Sequence, residues 1–242
     1  MNYIYDGTFE GLLTSIYEAY YRRQEPSGIL KNENLQQSLF DECIYIETDI
    51  EKSQKVYESI RKKISQRALQ HIYYTYLSDH IDSGTLIYRY LKLGFKAGGK
   101  IDSMLSDQRV LDVHNTSKKV SFERHRMLGL LRFKKVSDNL FYAAIEPDHN
   151  IVPVLASHFA KRFSDQNFII HDLKRKHAVF YNTKEWVITD FDEVLPDSFD
   201  ERNYEKLWKE YFTSIAIKER VNPRLQKQFM PKRYWIHLTE KL

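Results

Sequence analysis

The sequence predicts an α+β fold that is mainly helical in its first half and contains a small antiparallel sheet with a packed helix further on. Two observations carry this prediction. Apolar residues recur at helical spacing over long stretches up to about residue 127. From residue 128, short runs rich in β-branched and aromatic residues follow one another, separated by turn residues. We therefore expect a mainly helical region, 1–127, and an α+β region, 128–242, joined in one compact unit.

The first region is expected to open with a strand at Tyr3–Tyr5 and a helix that Thr8 caps, because a threonine hydroxyl can accept a bond from an orphan amide. A short apolar run at Cys43–Ile46 predicts a second strand. The stretch from Ser53 to Leu77 has one continuous apolar stripe, and Ser83 is expected to cap the helix that follows. Residues 102–127 fit one or two further helices.

The second region begins with two strand-like runs and then a helix at Ile151–Phe163, followed by further strands. This order predicts a small antiparallel sheet with the helix packed on one face. An acidic loop is expected after Asp190, an amphipathic helix at Asn203–Ile217 and a last helix from Pro223. The predicted strands are Leu130–Val136, Leu140–Ile145, Phe168–His171, Ala178–Tyr181 and Trp186–Ile188.

The composition excludes several classes of protein. With 242 residues and 42% hydrophobic residues, the chain can bury a substantial core without disulfides. Cys43 is the only cysteine, so neither an intrachain disulfide nor a cysteine-based zinc site can form. The chain shows no secretory signal pattern and no window near the ~20 apolar residues of a membrane helix. We therefore expect a cytoplasmic protein without a membrane partner.

Motifs for nucleotide or cofactor binding are not satisfied. Gly94–Lys100 has the spacing of a phosphate-binding loop, but Ile101 stands where a Ser or Thr must hold magnesium, and the segment follows a helical pattern where a strand is required. No dinucleotide fingerprint, nucleophile elbow or zinc-protease motif is present. The sequence thus predicts no cofactor and favours a non-enzymatic role over an enzymatic one.

Basic residues concentrate in two segments that also carry aromatic residues. Residues 118–135 hold seven Lys and Arg against one Glu, and six Lys and Arg lie between Lys218 and Arg233. Such cations neutralise phosphates, and aromatic rings stack on unpaired bases. Solvated faces and core anchoring are the structural alternative. The candidate nucleic-acid-binding residues are Arg124, Arg126, Arg132, Lys134, Lys174, Arg175, Arg220, Arg224, Lys227, Lys232, Arg233 and Tyr234. Arg132 and Lys134 are expected to share one strand face.

A second set of residues has the ligand types for a divalent metal that activates water. Helix capping and packing within the sheet explain the same residues without a metal, and the sequence does not show whether they meet in space. The candidates are Asp6, Glu10, Asp148, His149, His158, His171 and Asp172.

Four segments in order resemble a bacterial domain-of-unknown-function family: Tyr5–Leu13, His125–Phe133, Phe159–Phe163 with Ile170–Asp172, and Gln228–Trp235. The resemblance implies a role in DNA repair or DNA metabolism. It also implies a companion, a radical S-adenosylmethionine protein that modifies or repairs DNA. In other chains the family segment precedes a uracil-DNA glycosylase-like domain, which is not found in this sequence. The three-cysteine cluster motif of a radical enzyme is also missing, so such chemistry is expected to come from the partner.

Three functional interpretations follow. The first is an accessory protein that binds DNA, docks a radical S-adenosylmethionine repair enzyme, or does both. The second is a metal-dependent hydrolase or nuclease that uses the His and Asp residues given above. The third is an interaction scaffold whose basic face meets an acidic partner. Residues 190–201, with six acids and no base, are expected to steer the partner protein instead of touching DNA.

Overall fold

The computed structural model describes residues 1–34, 42–193 and 223–241. The chain divides into two compact units, Met1–Ser121 and Phe122–Leu242, which we call unit 1 and unit 2. The described residues contain both helices and two small sheets, which confirms the α+β class. Within those ranges, no helix combines the length and the apolar character needed to cross a membrane.

Unit 1 contains a three-stranded sheet in which every pairing is parallel. The strands are β1 (Asn2–Tyr5), β2 (Gly28–Lys31) and β3 (Cys43–Tyr45), in the order β2-β1-β3. The predicted strands at the N-terminus and at Cys43 are confirmed, although the second ends at Tyr45. β2 was not predicted, because its four residues begin with a glycine and lie in a stretch that otherwise looks polar.

Helices cover this sheet and build most of the core of unit 1. They are α1 (Phe9–Tyr21), α2 (Ile50–Lys63), α3 (Gln66–Tyr76) and α4 (Ser83–Ala97), and α5 (Gln108–Leu130) contains the boundary between the units. Thr8 caps α1 as predicted, with its Oγ1 accepting from the Gly11 amide at 2.9 Å. Residues 102–127 thus fall largely in a single long helix.

Two details of the helix boundaries differ from the prediction. The stripe from Ser53 to Leu77 is not one helix, because Ser65 breaks it and caps α3, its Oγ accepting from the Ala68 amide at 2.8 Å. A local side-chain bond at this serine replaces one intrahelical bond, so the backbone turns although the apolar stripe continues. Ser83 does not cap α4 but is its first residue, following Asp82.

Gly84 sits where α4 approaches the backbone of β2. A Cβ atom at this position would overlap the carbonyl oxygen of Ile29 and press against Leu12. Thr85, the next residue, binds the same strand through its Oγ1, which accepts from the Ile29 amide at 3.0 Å. The close approach of helix and strand therefore requires glycine.

We expect Gly84→Ala to lower the free energy of unfolding of unit 1 by about 1–3 kcal/mol, because the backbone must move to admit the methyl group. Gly129→Ala in α5 is the matched control, since nothing lies within 4 Å of the added carbon. It should stabilise its helix by about 0.5–1 kcal/mol. Urea denaturation followed by circular dichroism measures both. Equal effects of the two substitutions would contradict the packing argument.

Unit 2 is built on a five-stranded sheet in the order β4-β5-β6-β7-β8. Helix α6 (Val152–Arg162) links β5 to β6, and α7 (Pro223–Phe229) lies near the C-terminus. The strands are β4 (Lys134–Ser137), β5 (Leu140–Ile145), β6 (Asn167–Asp172), β7 (His177–Tyr181) and β8 (Trp186–Asp190).

This sheet is mixed and not purely antiparallel as expected. β5 and β6 run parallel, with Tyr142 opposite Ile169, whereas the other three pairs are antiparallel. The reason is α6, which returns the chain to the starting edge and so makes a β-α-β crossover between adjacent strands. The predicted packing of this helix against the sheet is confirmed by its contacts with β6 and β7. The predicted helix at Asn203–Ile217 and the acidic loop beyond Glu193 lie outside the described residues.

Candidate nucleic-acid interface

Several charged residues lie together at the carboxyl ends of the parallel strands β5 and β6 in unit 2. Ligand sites of sheets with parallel strands commonly lie at this end. The segment 146–150 follows β5, and the segment 173–176 follows β6. Candidates of the DNA-binding hypothesis and of the metal hypothesis both lie here. They are Asp148, His149, Asp172, Lys174, Arg175, Arg233 and Tyr234.

Glu123 of α5 is the centre of this group. Its side chain is only 5% exposed. One carboxylate oxygen accepts from the Asp148 amide at 2.7 Å and the other from the His149 amide at 2.8 Å. The Tyr234 hydroxyl also donates to this carboxylate. Glu123 therefore holds the loop after β5 and the C-terminal segment against α5.

Tyr234 is buried in this arrangement. Burial, and next the hydrogen bond to Glu123, raises the pKa of its hydroxyl above the usual value. Arg233 donates to the same hydroxyl at 2.9 Å and pairs with Asp148 at 2.5 Å. The predicted DNA-contacting residues Arg233 and Tyr234 are therefore bound by groups of the protein itself.

Arg175 has an equally structural environment. Its guanidinium pairs at 2.7 Å with Asp172, which is fully buried, and donates to the carbonyl oxygens of Pro147 and Asp148. Lys174 is exposed and its Nζ lies 3.4 Å from the Asp148 carbonyl. The two loops at the ends of β5 and β6 are tied together by these contacts.

The sequence did not single out Glu123, although it is the hub of the network. One signal was available. Glu123 lies three residues after Val120 and four before Met127, on the helix face whose apolar residues are buried. A carboxylate within that face must be paired, because an uncompensated buried charge is costly.

In the C-terminal segment 223–235, several of the predicted DNA-contacting residues are exposed to solvent. Arg224 and Lys227 on α7 are exposed, and so is Lys232. Phe229 is 62% exposed, so it does not anchor this segment to the core. Trp235 is half-buried, and its Nε1 donates to the Met230 carbonyl at 2.9 Å. Arg220 lies outside the described residues.

The cations at the end of α5 occupy distinct places. Arg124 donates to the Val154 carbonyl at 3.1 Å, and Arg126 is half-buried. Arg132 does not share a strand face with Lys134, which corrects that prediction. α5 continues to Leu130 and β4 begins at Lys134, so Arg132 lies between them and donates to the Gly129 carbonyl at 2.9 Å. The carbonyls of the last helical turn have no partner within the helix, and Arg132 donates to one of them.

A cavity of about 460 Å³ opens between the end of α5, α6 and the sheet. Half-buried and buried phenylalanines form much of its wall, and two arginines line it. It is lined by Leu128, Gly129, Leu131, Arg132, Phe133, Phe141, Phe159, Arg162, Phe163, Gln166 and Phe168. We call it the phenylalanine cavity. The sequence did not predict it, because its wall combines residues separated by up to forty positions.

The candidate metal ligands lie in both units, and several of them make hydrogen bonds with other groups of the protein. In unit 1, Asp6 accepts from the Thr8 amide at 3.0 Å and from the Thr48 hydroxyl at 2.7 Å. Burial would raise the pKa of Asp6, but the hydrogen bonds from the two threonines outweigh it and lower the pKa. Glu10 lines a cavity of about 370 Å³ together with Asp6.

In unit 2, His171 is buried and shares a hydrogen bond of 2.8 Å with the Tyr142 hydroxyl, while burial lowers the pKa of its imidazole. His158 lies on α6 with its ring against Phe159. Over the ranges 1–34, 42–193 and 223–241, no three His, Cys, Asp or Glu residues are placed to hold one metal ion.

A family model described as a domain of unknown function, DUF4130, matches residues 82–240. Neither a curated protein nor a solved structure matches the chain.

Proposed function

Because this chain belongs to the DUF4130 family, a domain of unknown function, we propose its role from its surface chemistry. The proposal is a DNA-binding accessory protein of DNA repair or DNA metabolism. The C-terminal segment 223–235 is its phosphate-contacting surface. The observation that carries the proposal is that Arg224, Lys227 and Lys232 are exposed in the same short segment as the exposed ring of Phe229.

Exposed cations are suited to phosphate binding because each one that contacts a phosphate releases a condensed counterion. The exposed ring of Phe229 has a flat face that is available to contact a base or a sugar. Gln228, exposed between these groups, has an amide that can bond to a base edge or a phosphate. The segment thus combines electrostatic and stacking groups over a dozen residues.

The ion pairs at the carboxyl ends of β5 and β6 reduce the number of cations that are candidates for phosphate contact. Arg175 and Arg233 are engaged with Asp172 and Asp148, and a phosphate would have to compete with these carboxylates. We therefore assign them to holding the loops in place. Arg224, Lys227 and Lys232 remain the primary phosphate contacts of the proposal.

We expect the double variant Arg224→Ala, Lys227→Ala to weaken DNA binding and flatten its salt dependence. The log–log slope of affinity against salt on duplex DNA should fall by roughly 0.9 for each lost phosphate contact. Fluorescence anisotropy with a labelled duplex at several salt concentrations measures the slope. The double variant Lys55→Ala, Lys100→Ala is the matched control, since it removes two exposed charges from unit 1.

The comparison separates a local contact from a general charge effect. If both double variants change the slope equally, only net charge matters and segment 223–235 is not the binding surface. If neither changes it while the wild type binds DNA, another surface is responsible. Circular dichroism of each variant verifies that the fold is retained.

The proposal includes the docking of a radical S-adenosylmethionine enzyme, which rests on the family resemblance of the four sequence segments. The described acidic residues after β8 are exposed, and Asp192 pairs with Lys176 at 2.9 Å. An exposed pair of this kind contributes little stability and can be exchanged for a partner. Adding the purified enzyme to the DNA complex should produce a slower-migrating species in a mobility-shift assay. An unchanged complex would remove the partner from the proposal.

A further inference from the structure

The phenylalanine cavity has the wall of a site for a flat aromatic ligand. Phe133 lines the cavity and contacts three of the other rings, with ring centroids 5.3 Å from Phe159, 5.1 Å from Phe163 and 5.5 Å from Phe168. Phe159 lies on α6 and Phe163 directly follows that helix, and the two rings are parallel within 10°. Phe133 meets all three rings edge-on, so its position is held by aromatic contacts on several sides.

The rings differ in how much of their surface is accessible. Phe159 and Phe168 are almost completely buried and form the back of the cavity, at 3% and 1% exposure. Phe133, Phe141 and Phe163 are half-buried and face the open volume. A cavity of about 460 Å³ is within the range of about 300–1,000 Å³ that small-molecule sites have.

The charges of the lining select an anionic ligand. Arg132 and Arg162 line the cavity, and none of the described residues that line it is acidic. Arg132 is oriented by its bonds to the carbonyls of Gly129 and Leu131. Arg162 is exposed at the end of α6, with its guanidinium 6.0 Å from the centre of the Phe163 ring. An aromatic floor with guanidinium groups beside it matches a base that carries a phosphate.

Polar groups at the same place can recognise the edge of a base. Gln166 lines this cavity and also a neighbouring one of about 800 Å³, with which it shares Phe133 and Phe141. The neighbouring cavity adds the amide of Asn139 but also the carboxylates of Asp138 and Asp165, which repel phosphates. The phosphate contacts of the inference are therefore confined to the phenylalanine cavity.

We infer that the phenylalanine cavity binds an unpaired base of a DNA strand, with Phe133 as the stacking surface and Arg132 and Arg162 as the phosphate contacts. The Phe163 ring, at 75° to that of Phe133, would meet the edge of the base. This inference rests on the proposed function and adds to it the strand state of the DNA. Segment 223–235 would supply affinity for any DNA, whereas the cavity would supply preference for a base outside the duplex. A fully paired base cannot reach the rings, because stacking neighbours cover both of its faces.

Two labelled probes test the inference, a fully paired duplex and the same duplex with one extra, unpaired 5-iodouracil. The wild type is expected to bind the second probe about tenfold more tightly, a factor typical of one stacked base. Irradiation should cross-link the unpaired base to a peptide containing Phe133 or Phe163. Phe133→Leu keeps an apolar side chain but removes the flat ring, and should bring the affinity ratio close to one.

Arg162→Gln is the second variant, since its exposed side chain can change without disturbing the core. It should lower the affinity for the unpaired probe several-fold. Phe122→Leu, which removes a 54% exposed phenylalanine ring that does not line the cavity, should leave the ratio unchanged. A mononucleotide phosphate is the third ligand, expected to compete only weakly because it lacks the neighbouring nucleotides of a strand.

The inference is overturned if the wild type shows no preference for the unpaired probe, or if cross-links map elsewhere. It is also overturned if the mononucleotide competes as well as the unpaired probe, which would make the cavity a free-nucleotide site. In each of these cases, binding of the paired duplex with the salt slope expected for Arg224 and Lys227 would leave the proposed function standing. Loss of all duplex binding would instead remove the proposed function.

Discussion

Glu123→Ala is expected to lower the free energy of unfolding of unit 2 by about 3–5 kcal/mol, the range measured when one member of a buried charged network is removed. The substitution leaves the Asp148 and His149 amides and the Tyr234 hydroxyl without their shared acceptor. It also leaves Arg233 with one fewer carboxylate nearby. Alanine is the best helix former, so the loss cannot come from the helix itself.

Tryptophan fluorescence during urea denaturation measures this loss selectively, since all three tryptophans follow residue 185 and so belong to unit 2. Tyr234→Phe is the matched control within the network. It removes one hydroxyl and should cost about 1–2 kcal/mol, because Glu123 keeps both backbone bonds. If Glu123→Ala were no more destabilising than Tyr234→Phe, the two loops would not depend on the carboxylate.

The second large effect is a loss of stability of unit 1 at acidic pH, caused by a stacked histidine pair. The rings of His71 and His114 have centroids 4.1 Å apart, and the two planes are within 23° of parallel. His71 Nδ1 shares a hydrogen bond of 2.9 Å with the Ser117 hydroxyl. The Nε2 atoms of both histidines are buried without a hydrogen-bond partner among the described residues.

Burial and then the neighbouring His114 lower the pKa of His71 from 6.5 to about 4. Burial likewise lowers the pKa of His114, with the Arg67 charge adding to it. When the pH is above the histidine's pKa in the unfolded chain, the ring is neutral in both states and unit 1 keeps its full stability. As the pH falls from about 6.5 towards 4, the unfolded chain binds the proton more readily than the folded chain, and the free energy of unfolding decreases.

For His71 alone, the loss between about pH 7.5 and pH 5 is expected to be about 2 kcal/mol. Urea denaturation followed by circular dichroism at the two pH values measures it. His71→Asn places an amide near the position of Nδ1 and cannot be protonated, so the difference between the two pH values should shrink. His125→Asn, at an exposed position of unit 2, should leave the difference unchanged. A pH effect of equal size in both variants would assign it to other groups.

Much of the fold could be predicted from local patterns. The cap at Thr8 and the strands from Leu140 onwards depend on residues that are close in the sequence. An apolar pattern with a period of 3.6 residues in a helix, or 2 in a strand, shows which face is buried. β2 and the break at Ser65 were missed for the same physical reason. For β2, parallel pairing with β1 formed a strand in a stretch whose residues look polar. At Ser65, a side-chain cap ended the helix although the apolar stripe continues.

The candidate site was less accessible to prediction. The sequence named Arg175, Arg233 and Tyr234 among twelve separate candidates for DNA contact, and the structure brings these three to the same end of the sheet. It did not show that carboxylates hold them there. An ion pair between Arg233 and Asp148 joins positions 85 residues apart, and no periodicity records such a distant pairing.

Composition and local spacing are sufficient to establish the α+β class, the positions of the two basic segments and the absence of an intrachain disulfide. Which cations are paired within the protein and which face solvent became known from the three-dimensional arrangement. It also showed that Phe133, Phe159, Phe163 and Phe168 surround one cavity. The physical reason is that the energy of a charge or a ring depends on its neighbours in space, and chain folding brings those neighbours from distant positions.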